Sequence, residues 1–200
     1  RHSLETARER FACMLGCPPS EVIWTSGATE SCNLVFHHLR RTLPSSAEVW
    51  ISAIEHPCVH AAANERFGPR CRSLPVTRQG AVDLTALASR EGAARLGAVA
   101  VMAANHETGV LQPWHEVLAW CRERGIPFIC DVTQWLGRLP GSGLGACDFC
   151  FGSAHKFGGP KGVGALRLSP DHTLEPIIRG GAQENGRRAG TENIVGIMGM

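Results

Sequence analysis

The chain contains no tyrosine and only two lysines, against eighteen arginines, among its 200 residues. The absence of tyrosine excludes a phenol ring as a stacking partner within this sequence. A net charge of +2 is too small to favour nucleic acid or a membrane surface as a partner. No apolar run approaches the roughly 20 residues that cross a bilayer. With 44% hydrophobic and 19% charged residues, the sequence indicates a soluble globular domain.

Cysteine is the abundant exception, with nine residues scattered along the chain. The odd number and the apolar surroundings of most of them favour a reduced, cytoplasmic protein over a disulfide scaffold. Two pairs, Cys13 with Cys17 and Cys147 with Cys150, have spacings that zinc sites use. Because no turn-forming residue separates Cys147 from Cys150, we expect no metal site.

Both lysines lie in one short segment, residues 153–162, with the sequence SAHKFGGPKG. A lysine amine can lose its proton near neutral pH and form a Schiff base, whereas an arginine side chain cannot. One interpretation of the segment is a lysine that binds an aldehyde cofactor. The alternative is an arginine-rich composition that retains two lysines by chance, and the residues around Lys156 decide between the two.

Apolar runs and turn residues predict strands that alternate with helices. The predicted strands are 22–25, 49–52, 71–76, 98–103, 127–131, 149–152 and 163–168. The predicted helices are 4–15, 30–41, 57–67, a short one from 83, and 113–125. This alternation is typical of an α/β fold with a mostly parallel sheet. The chain starts without methionine and ends in an apolar stretch at 197–200, so we expect an internal piece of a longer protein.

Chemically distinctive residues follow the predicted strands, where ligands bind in parallel sheets. The turn at 26–29 opens a helix whose free N–H groups suit a phosphate, unless Thr29 is an ordinary helix cap. Asp131 ends a buried strand and needs a partner, either an arginine or the protonated nitrogen of a pyridoxal ring. Gln134 is then placed to hydrogen-bond a ring oxygen. His56 precedes a helix and can stack on a flat ring, although most single histidines are structural.

Six segments together resemble the NifS-type cysteine desulfurases, which are pyridoxal-phosphate enzymes of the class V aminotransferase group. The segments are TSGATES at 25–31, EH at 55–56, NHETGVLQP at 105–113, DVTQ at 131–134, SAHK at 153–156 with GGPKGVGAL at 158–166, and RRAGTEN at 187–193. They follow the family's order at nearly its spacing. The resemblance implies that residues 1–200 form a pyridoxal-phosphate-binding large domain of transferase fold type I, incomplete at both ends, with the C-terminal small domain outside it.

The resemblance implies a role for each matching residue at the ring of the cofactor. Lys156 would bind the cofactor through its amine. Asp131 would pair with the pyridine nitrogen, and Gln134 would contact the ring hydroxyl. His56 would stack on the ring and assist proton transfer, so that Lys156 and His56 are the catalytic residues. His106 replaces the family's asparagine near the ring hydroxyl, and since imidazole is bulkier and can titrate, we expect altered cofactor electronics with binding retained.

The resemblance also implies the residues that hold the cofactor phosphate. Ala28, Thr29, Ser153 and His155 would bind it within one subunit. Thr191 would reach the phosphate of the partner subunit's cofactor, which implies a homodimer. In the same segment, 187–193, two adjacent arginines suit a phosphate across the interface. The alternative is that this segment is a surface loop. Lys161 would have a structural role in the glycine-rich loop.

The implied reaction converts L-cysteine to L-alanine and leaves the sulfur on an enzyme cysteine as a persulfide. The sulfur would pass to an acceptor protein such as an iron–sulfur scaffold, or to thio-cofactor synthesis. The nucleophilic cysteine and the arginine for the substrate carboxylate would lie outside this chain, so we expect the piece alone to be inactive. Selenocysteine lyase and a catalytically silent pyridoxal-phosphate-binding relative are the alternatives.

Overall fold

The computed structural model describes residues 2–89 and 95–200. The strands are β1 (Val22–Thr25), β2 (Glu48–Ser52), β3 (Cys71–Leu74), β4 (Leu96–Ala100), β5 (Phe128–Asp131), β6 (Phe149–Ser153) and β7 (Gly164–Leu168). The helices are α1 (His2–Leu15), α2 (Ala28–Thr42), α3 (Pro57–Phe67), α4 (Leu84–Ala88), α5 (Trp114–Glu123) and α6 (Ile194–Met198). In the described part of the chain, no helix has the length and apolarity that a membrane crossing requires.

The strands form one seven-stranded sheet in the order β1-β7-β6-β5-β4-β2-β3. Neighbours from β3 through β6 pair in parallel, while β7 runs antiparallel to both β6 and β1. Strand β1 therefore points the same way as β6. The predicted α/β fold with a mostly parallel sheet is confirmed, and the exception, β7, returns directly from β6 through the lysine-containing segment.

Both faces of the sheet are buried, which explains why its strands are continuously apolar rather than alternating. On β5 and β6, Ile129 and Phe149 pack with apolar residues of α2 and α3. Their neighbours Phe128, Cys130 and Cys150 point to the other face and pack with residues of α5. All nine cysteines are free thiols.

Element boundaries differ from the predictions where backbone hydrogen bonding changes. Strand β3 ends at Leu74, before the predicted end at 76, because Pro75 has no N–H to donate to a neighbouring strand. Val76 instead forms an isolated bridge with Val82. Helix α2 begins at Ala28, two residues before the predicted start, directly after the glycine turn.

A buried ion pair joins the two ends of the described chain. The Arg8 guanidinium on α1 donates two hydrogen bonds of 2.8 Å to the Glu184 carboxylate. The Trp24 N–H on β1 donates a third to Glu184, at 3.0 Å. Arg8 and Glu184 are 8% and 5% exposed. Because burial of a charge is costly without a partner, this pair holds α1, β1 and the segment around Glu184 together.

His38 on α2 is a buried titratable group without hydrogen bonds. It is 1% exposed, and both ring nitrogens lack a partner. The rings of Phe149 and His172 pack against it, with centroids 5.9 and 5.6 Å away. Burial, with a smaller contribution from the charge of His172, lowers the pKa of His38 from 6.5 to about 4. The folded protein therefore holds this ring neutral.

This depressed pKa predicts that the protein loses stability in mild acid. The unfolded chain takes up a proton near pH 6.5 and the folded chain only near pH 4, so the free energy of unfolding falls as pH drops through this interval. The loss attributable to His38 reaches about 3 kcal/mol at the lower limit. Urea unfolding across the same pH range measures it. His38→Leu, which buries an apolar group without a proton site, should show a shallower dependence, and identical profiles would contradict the assignment.

Candidate active site

A cavity of about 190 Å³ opens at the carboxyl ends of β1, β2, β4, β5 and β6. These five strands run in one direction, so the segments that follow them meet at one edge of the sheet. The cavity brings together every predicted cofactor residue except Thr191. These residues are Ala28, Thr29, His56, His106, Asp131, Gln134, Ser153, His155 and Lys156.

The N-terminus of α2 forms one end of the cavity, next to the end of β6. The Ala28 N–H donates a 2.7 Å hydrogen bond to Ser153 Oγ. Strand β7 passes so close that a Cβ atom on Gly164 would lie 2.5 Å from Gly27 Cα, so only glycine fits there. A helix N-terminus with nearby hydroxyl groups favours an anion. This end of the cavity therefore suits a phosphate.

Two side chains of the segment after β6 also line the cavity. Lys156 and His155 are exposed residues that line the cavity, and Lys156 belongs to the single helical turn Ala154–Lys156 directly after β6. Arg138 donates a hydrogen bond to the backbone oxygen of Lys156, which fixes the turn. Lys161 does not line this cavity. It borders a neighbouring cavity of about 300 Å³ at the outer side of the α2 turn.

Asp131 supplies a buried carboxylate at the end of β5. It is 7% exposed, and its Oδ1 accepts a 2.9 Å hydrogen bond from the Thr133 N–H. Burial raises the pKa of Asp131, while Thr133, His56 and His106 oppose this rise. No arginine among residues 2–89 and 95–200 forms an ion pair with Asp131. The carboxylate is therefore open to a cationic group in the cavity.

A second buried carboxylate, Glu55, lies near Asp131 and was not assigned a role from the sequence. It accepts a 2.6 Å hydrogen bond from the Met102 N–H. Burial, followed by the charge of Asp131, raises the pKa of Glu55 well above its usual range. Two nearby carboxyl groups favour a single negative charge. The pKa of Glu55 is raised further than that of Asp131, so the pair favours negative charge on Asp131, beside the cavity.

Two imidazole rings line the middle of the cavity. His56 caps α3, because its Nδ1 accepts a 3.2 Å hydrogen bond from the Cys58 N–H. The rings of His56 and His106 meet edge to face with centroids 5.0 Å apart. Asn105 Oδ1 accepts hydrogen bonds from the Glu107 and Thr108 N–H groups, and this turn presents His106 to the cavity. The Nδ1 atom of His106 is buried and lacks a hydrogen-bond partner.

Four further residues line the cavity although the sequence analysis gave them no role: Cys58, Met102, Ala104 and Thr133. Three of them, Cys58, Ala104 and Thr133, lie one or two residues from an assigned residue, which is a usable signal, whereas Met102 lies four residues from His106. Thr133 is 9% exposed, and its hydroxyl makes no hydrogen bond of acceptable geometry. Together with His106 Nδ1, this hydroxyl is a buried polar group that a bound molecule would satisfy.

The segment at 187–193 stands apart from the cavity. Thr191 lines a separate cavity of about 80 Å³ beside β1. Arg188 donates two hydrogen bonds, at 2.8 and 3.1 Å, to the Glu30 carboxylate. Arg187 donates to the backbone oxygens of Glu184 and Ser20. Within this chain the two arginines thus stabilise the fold. The predicted contact of Thr191 with the phosphate of the partner subunit's cofactor stays a prediction.

Curated relatives match the chain along its whole length. The cysteine desulfurase of Enterobacter agglomerans is 43% identical over 207 residues, covering 100% of this chain and 51% of that protein. The IscS-like cysteine desulfurase of Mycobacterium tuberculosis is 38% identical, covering 100% of this chain and 53% of that protein. The chain therefore spans about half the length of the curated relatives it matches.

Solved structures show the same fold. A NifS-like protein has a TM-score of 0.92 at 34% identity, covering 98% of this chain and 55% of that one. A protein described as SspA in complex with cysteine has a TM-score of 0.90 at 30% identity, covering 99% of this chain and 58% of that one. The family model for class-V aminotransferases matches residues 1–200. The chain belongs to the class-V aminotransferase family.

Proposed function

We propose that this chain is the cofactor-binding large domain of a pyridoxal-phosphate-dependent cysteine desulfurase. The family depends on pyridoxal phosphate, and relatives named cysteine desulfurase match the chain along its length. The observation that carries the proposal is the cavity itself, which combines the Lys156 amine with the buried carboxylate of Asp131. Residues 1–200 form this domain, and the small domain belongs to the rest of the protein.

The residues present fit pyridoxal phosphate from end to end. The N-terminus of α2, with Thr29, Ser153 and His155, suits the phosphate. Asp131 suits the pyridine nitrogen, and the unpartnered His106 Nδ1 offers a hydrogen bond inside the cavity. When bound, the cofactor supplies an electron sink that stabilises negative charge at the carbon next to the substrate amine.

The chain's own residues then have distinct tasks in the reaction. The Lys156 amine would hold the cofactor and, as a free base, would take the Cα proton of L-cysteine. The Asp131 carboxylate keeps the ring nitrogen protonated, and Gln134 hydrogen-bonds the ring hydroxyl. His56 stacks on the ring and assists proton transfer. A cysteine in the remainder of the protein attacks the substrate sulfur and carries it as a persulfide.

The partners follow from this chemistry. L-Cysteine is the substrate, in keeping with the structural neighbour described in complex with cysteine. The sulfur goes to an acceptor protein such as an iron–sulfur scaffold, since several relatives are named IscS. We further propose a cytoplasmic homodimer in which Thr191 contacts the phosphate of the partner subunit's cofactor. The complete protein should form alanine from L-cysteine faster than from selenocysteine, and the reverse preference would indicate a selenocysteine lyase.

Asp131→Asn is expected to weaken pyridoxal-phosphate binding by about 10- to 100-fold, because a hydrogen bond to a charged group contributes about 1.5–3 kcal/mol. Equilibrium dialysis of the purified chain measures the dissociation constant. Asp148→Asn is a matched control, since Asp148 lies outside the cavity and accepts a hydrogen bond from the Phe128 N–H. Equal affinities of Asp131→Asn and the unchanged protein would remove Asp131 from the cofactor site.

A further inference from the structure

The cofactor cavity contains a thiol that the proposed reaction does not use. Cys58 lies in the first turn of α3, and its side chain lines the cavity. Its Sγ is 3.1 Å from His56 Nδ1. The residue is half-buried, so its sulfur is accessible from the cavity. A small polar reagent that enters the site therefore meets this sulfur beside the ring of His56.

The surroundings of Cys58 favour the thiolate. The neighbouring Cys32 is the largest influence, and together with His56 it lowers the pKa of Cys58 to about 6, against burial and the charge of Asp131. The sulfur also lies at the N-terminus of α3, where the helix dipole stabilises negative charge. At neutral pH the cavity consequently holds a nucleophilic sulfur.

A second thiol lies directly behind the first. Cys32 on α2 is fully buried, and its Sγ is 3.6 Å from the backbone oxygen of Cys58. The neighbouring Cys58 is the largest of the causes that raise the pKa of Cys32 well above its usual range, and burial is the next. The two cysteines thus differ in protonation. The Cys58 sulfur is charged and faces the cavity, whereas the Cys32 sulfur stays protonated.

We propose that Cys58 and Cys32 form a peroxide-sensitive dithiol that controls cofactor binding in the cavity. This arrangement is the one that redox-sensing cysteines use, a thiolate accessible to oxidant beside a resolving thiol. The effect on the cofactor rests on the proposed function. The oxidation itself does not, because it depends only on the two sulfurs and their surroundings.

The oxidant is hydrogen peroxide. The Cys58 thiolate attacks one peroxide oxygen, the O–O bond breaks, and the leaving hydroxide takes a proton to become water; Cys58 is oxidised to the sulfenic acid. The Cys32 sulfur then attacks the Cys58 sulfur, forming the S–S bond and breaking the S–O bond. The Cys32 proton and the leaving hydroxyl form a second water. Two thiols and one peroxide give one disulfide and two waters.

The disulfide changes the cavity at the ring of the cofactor. It draws the Cys58 sulfur towards α2 and removes its contact with His56, the residue proposed to stack on the cofactor. A neutral disulfide also replaces the negative charge beside Asp131. We therefore expect the oxidised chain to bind pyridoxal phosphate more weakly, and a dithiol reductant to restore binding.

The test exposes the cofactor-free chain to hydrogen peroxide and maps the cysteines by mass spectrometry, with dimedone to trap sulfenic acid. Cys58 should react at least about tenfold faster than Cys71, because of its larger thiolate fraction. Cys71 is a matched control, since it is also half-buried but burial raises its pKa and it lies outside the cavity. A peptide linked through Cys32 and Cys58 should accumulate. In Cys32→Ala, dimedone-trapped Cys58 should appear instead.

Cofactor affinity is measured on the same samples. Peroxide should raise the dissociation constant for pyridoxal phosphate by about tenfold, the equivalent of one hydrogen bond to a charged group. Cys58→Ala should show the same constant with and without peroxide. Oxidation of Cys58 no faster than that of Cys71, or no linked peptide, would overturn the dithiol. A linked peptide with unchanged affinity would overturn its control of the cofactor, whereas no binding by the reduced chain would refute the proposed function and leave the dithiol supported.

Discussion

Lys156→Ala is expected to abolish covalent capture of pyridoxal phosphate and to lower alanine production by the complete protein by at least about 10²–10⁴-fold, the usual contribution of a general base. The reason is that Lys156 has two roles, since its amine binds the cofactor and later takes the Cα proton. The measurement is borohydride reduction in the presence of the cofactor, followed by mapping of the labelled residue.

The composition of the chain makes this experiment unusually clear. Only Lys156 and Lys161 can carry the label on a side chain. Lys161→Arg is the matched control, because it keeps the charge of the glycine-rich loop and leaves Lys156 as the single lysine. This variant should be labelled on Lys156 to the same extent as the unchanged chain. A label on Lys161, or substantial alanine production by Lys156→Ala, would refute the proposed site.

Glu184→Ala is expected to lower the free energy of unfolding by about 3–5 kcal/mol, the cost of removing one partner from a buried ion pair. The substitution leaves the buried Arg8 guanidinium with only the half-exposed Glu5 as an acidic partner, and it leaves the Trp24 N–H without its acceptor. Burial by itself would lower the pKa of Arg8, yet Glu184 and Glu5 keep it raised, which shows how strongly the carboxylates hold the charge. Urea unfolding measures the difference.

A surface ion pair provides the comparison. Glu175 pairs with Arg41 and Arg179, and the side chains of both arginines are more than half exposed. Since exposed pairs contribute about 0–1 kcal/mol, Glu175→Ala should leave the protein nearly as stable as the unchanged chain. If the two alanine variants were equally stable, the Arg8–Glu184 pair would not hold the chain ends together.

The residues assigned to the site lie together because they follow strands. Asp131, Ser153 and Lys156 come directly after apolar runs, and in a parallel sheet such positions converge whatever the intervening helices do. The direction of β7 was harder to predict from the sequence, because an apolar pattern indicates a strand but not the strand with which it pairs. The sequence did not indicate a role for Cys58, which lines the cavity, for a related reason. Its chemistry depends on Cys32, which lies on a different helix, and no local pattern links the two.

The Arg8–Glu184 pair shows the same limit of prediction from local sequence, for residues near the two ends of the chain. The two residues are 176 positions apart, and no local sequence pattern at either one indicates that they pair. Arginine and glutamate in a sequence usually indicate solvent exposure, so their burial is visible only once α1 and β1 are packed. The family resemblance supplied the order and spacing of the motifs. These motifs predict residues of the cavity, but they do not predict the Arg8–Glu184 pair.

The pairing of β1 with β7 has a consequence for how the protein is made. Thr25 pairs with Gly164, so β1 leaves the ribosome long before the strand that will cover its edge. At translation rates of about 5–20 residues per second, that interval lasts roughly 7–28 s. Throughout it, the apolar segment Val22–Thr25 has no sheet partner, a state that invites aggregation. Slowing synthesis ahead of β7 should therefore raise the demand for chaperones, while the same delay placed after β7 should have little effect.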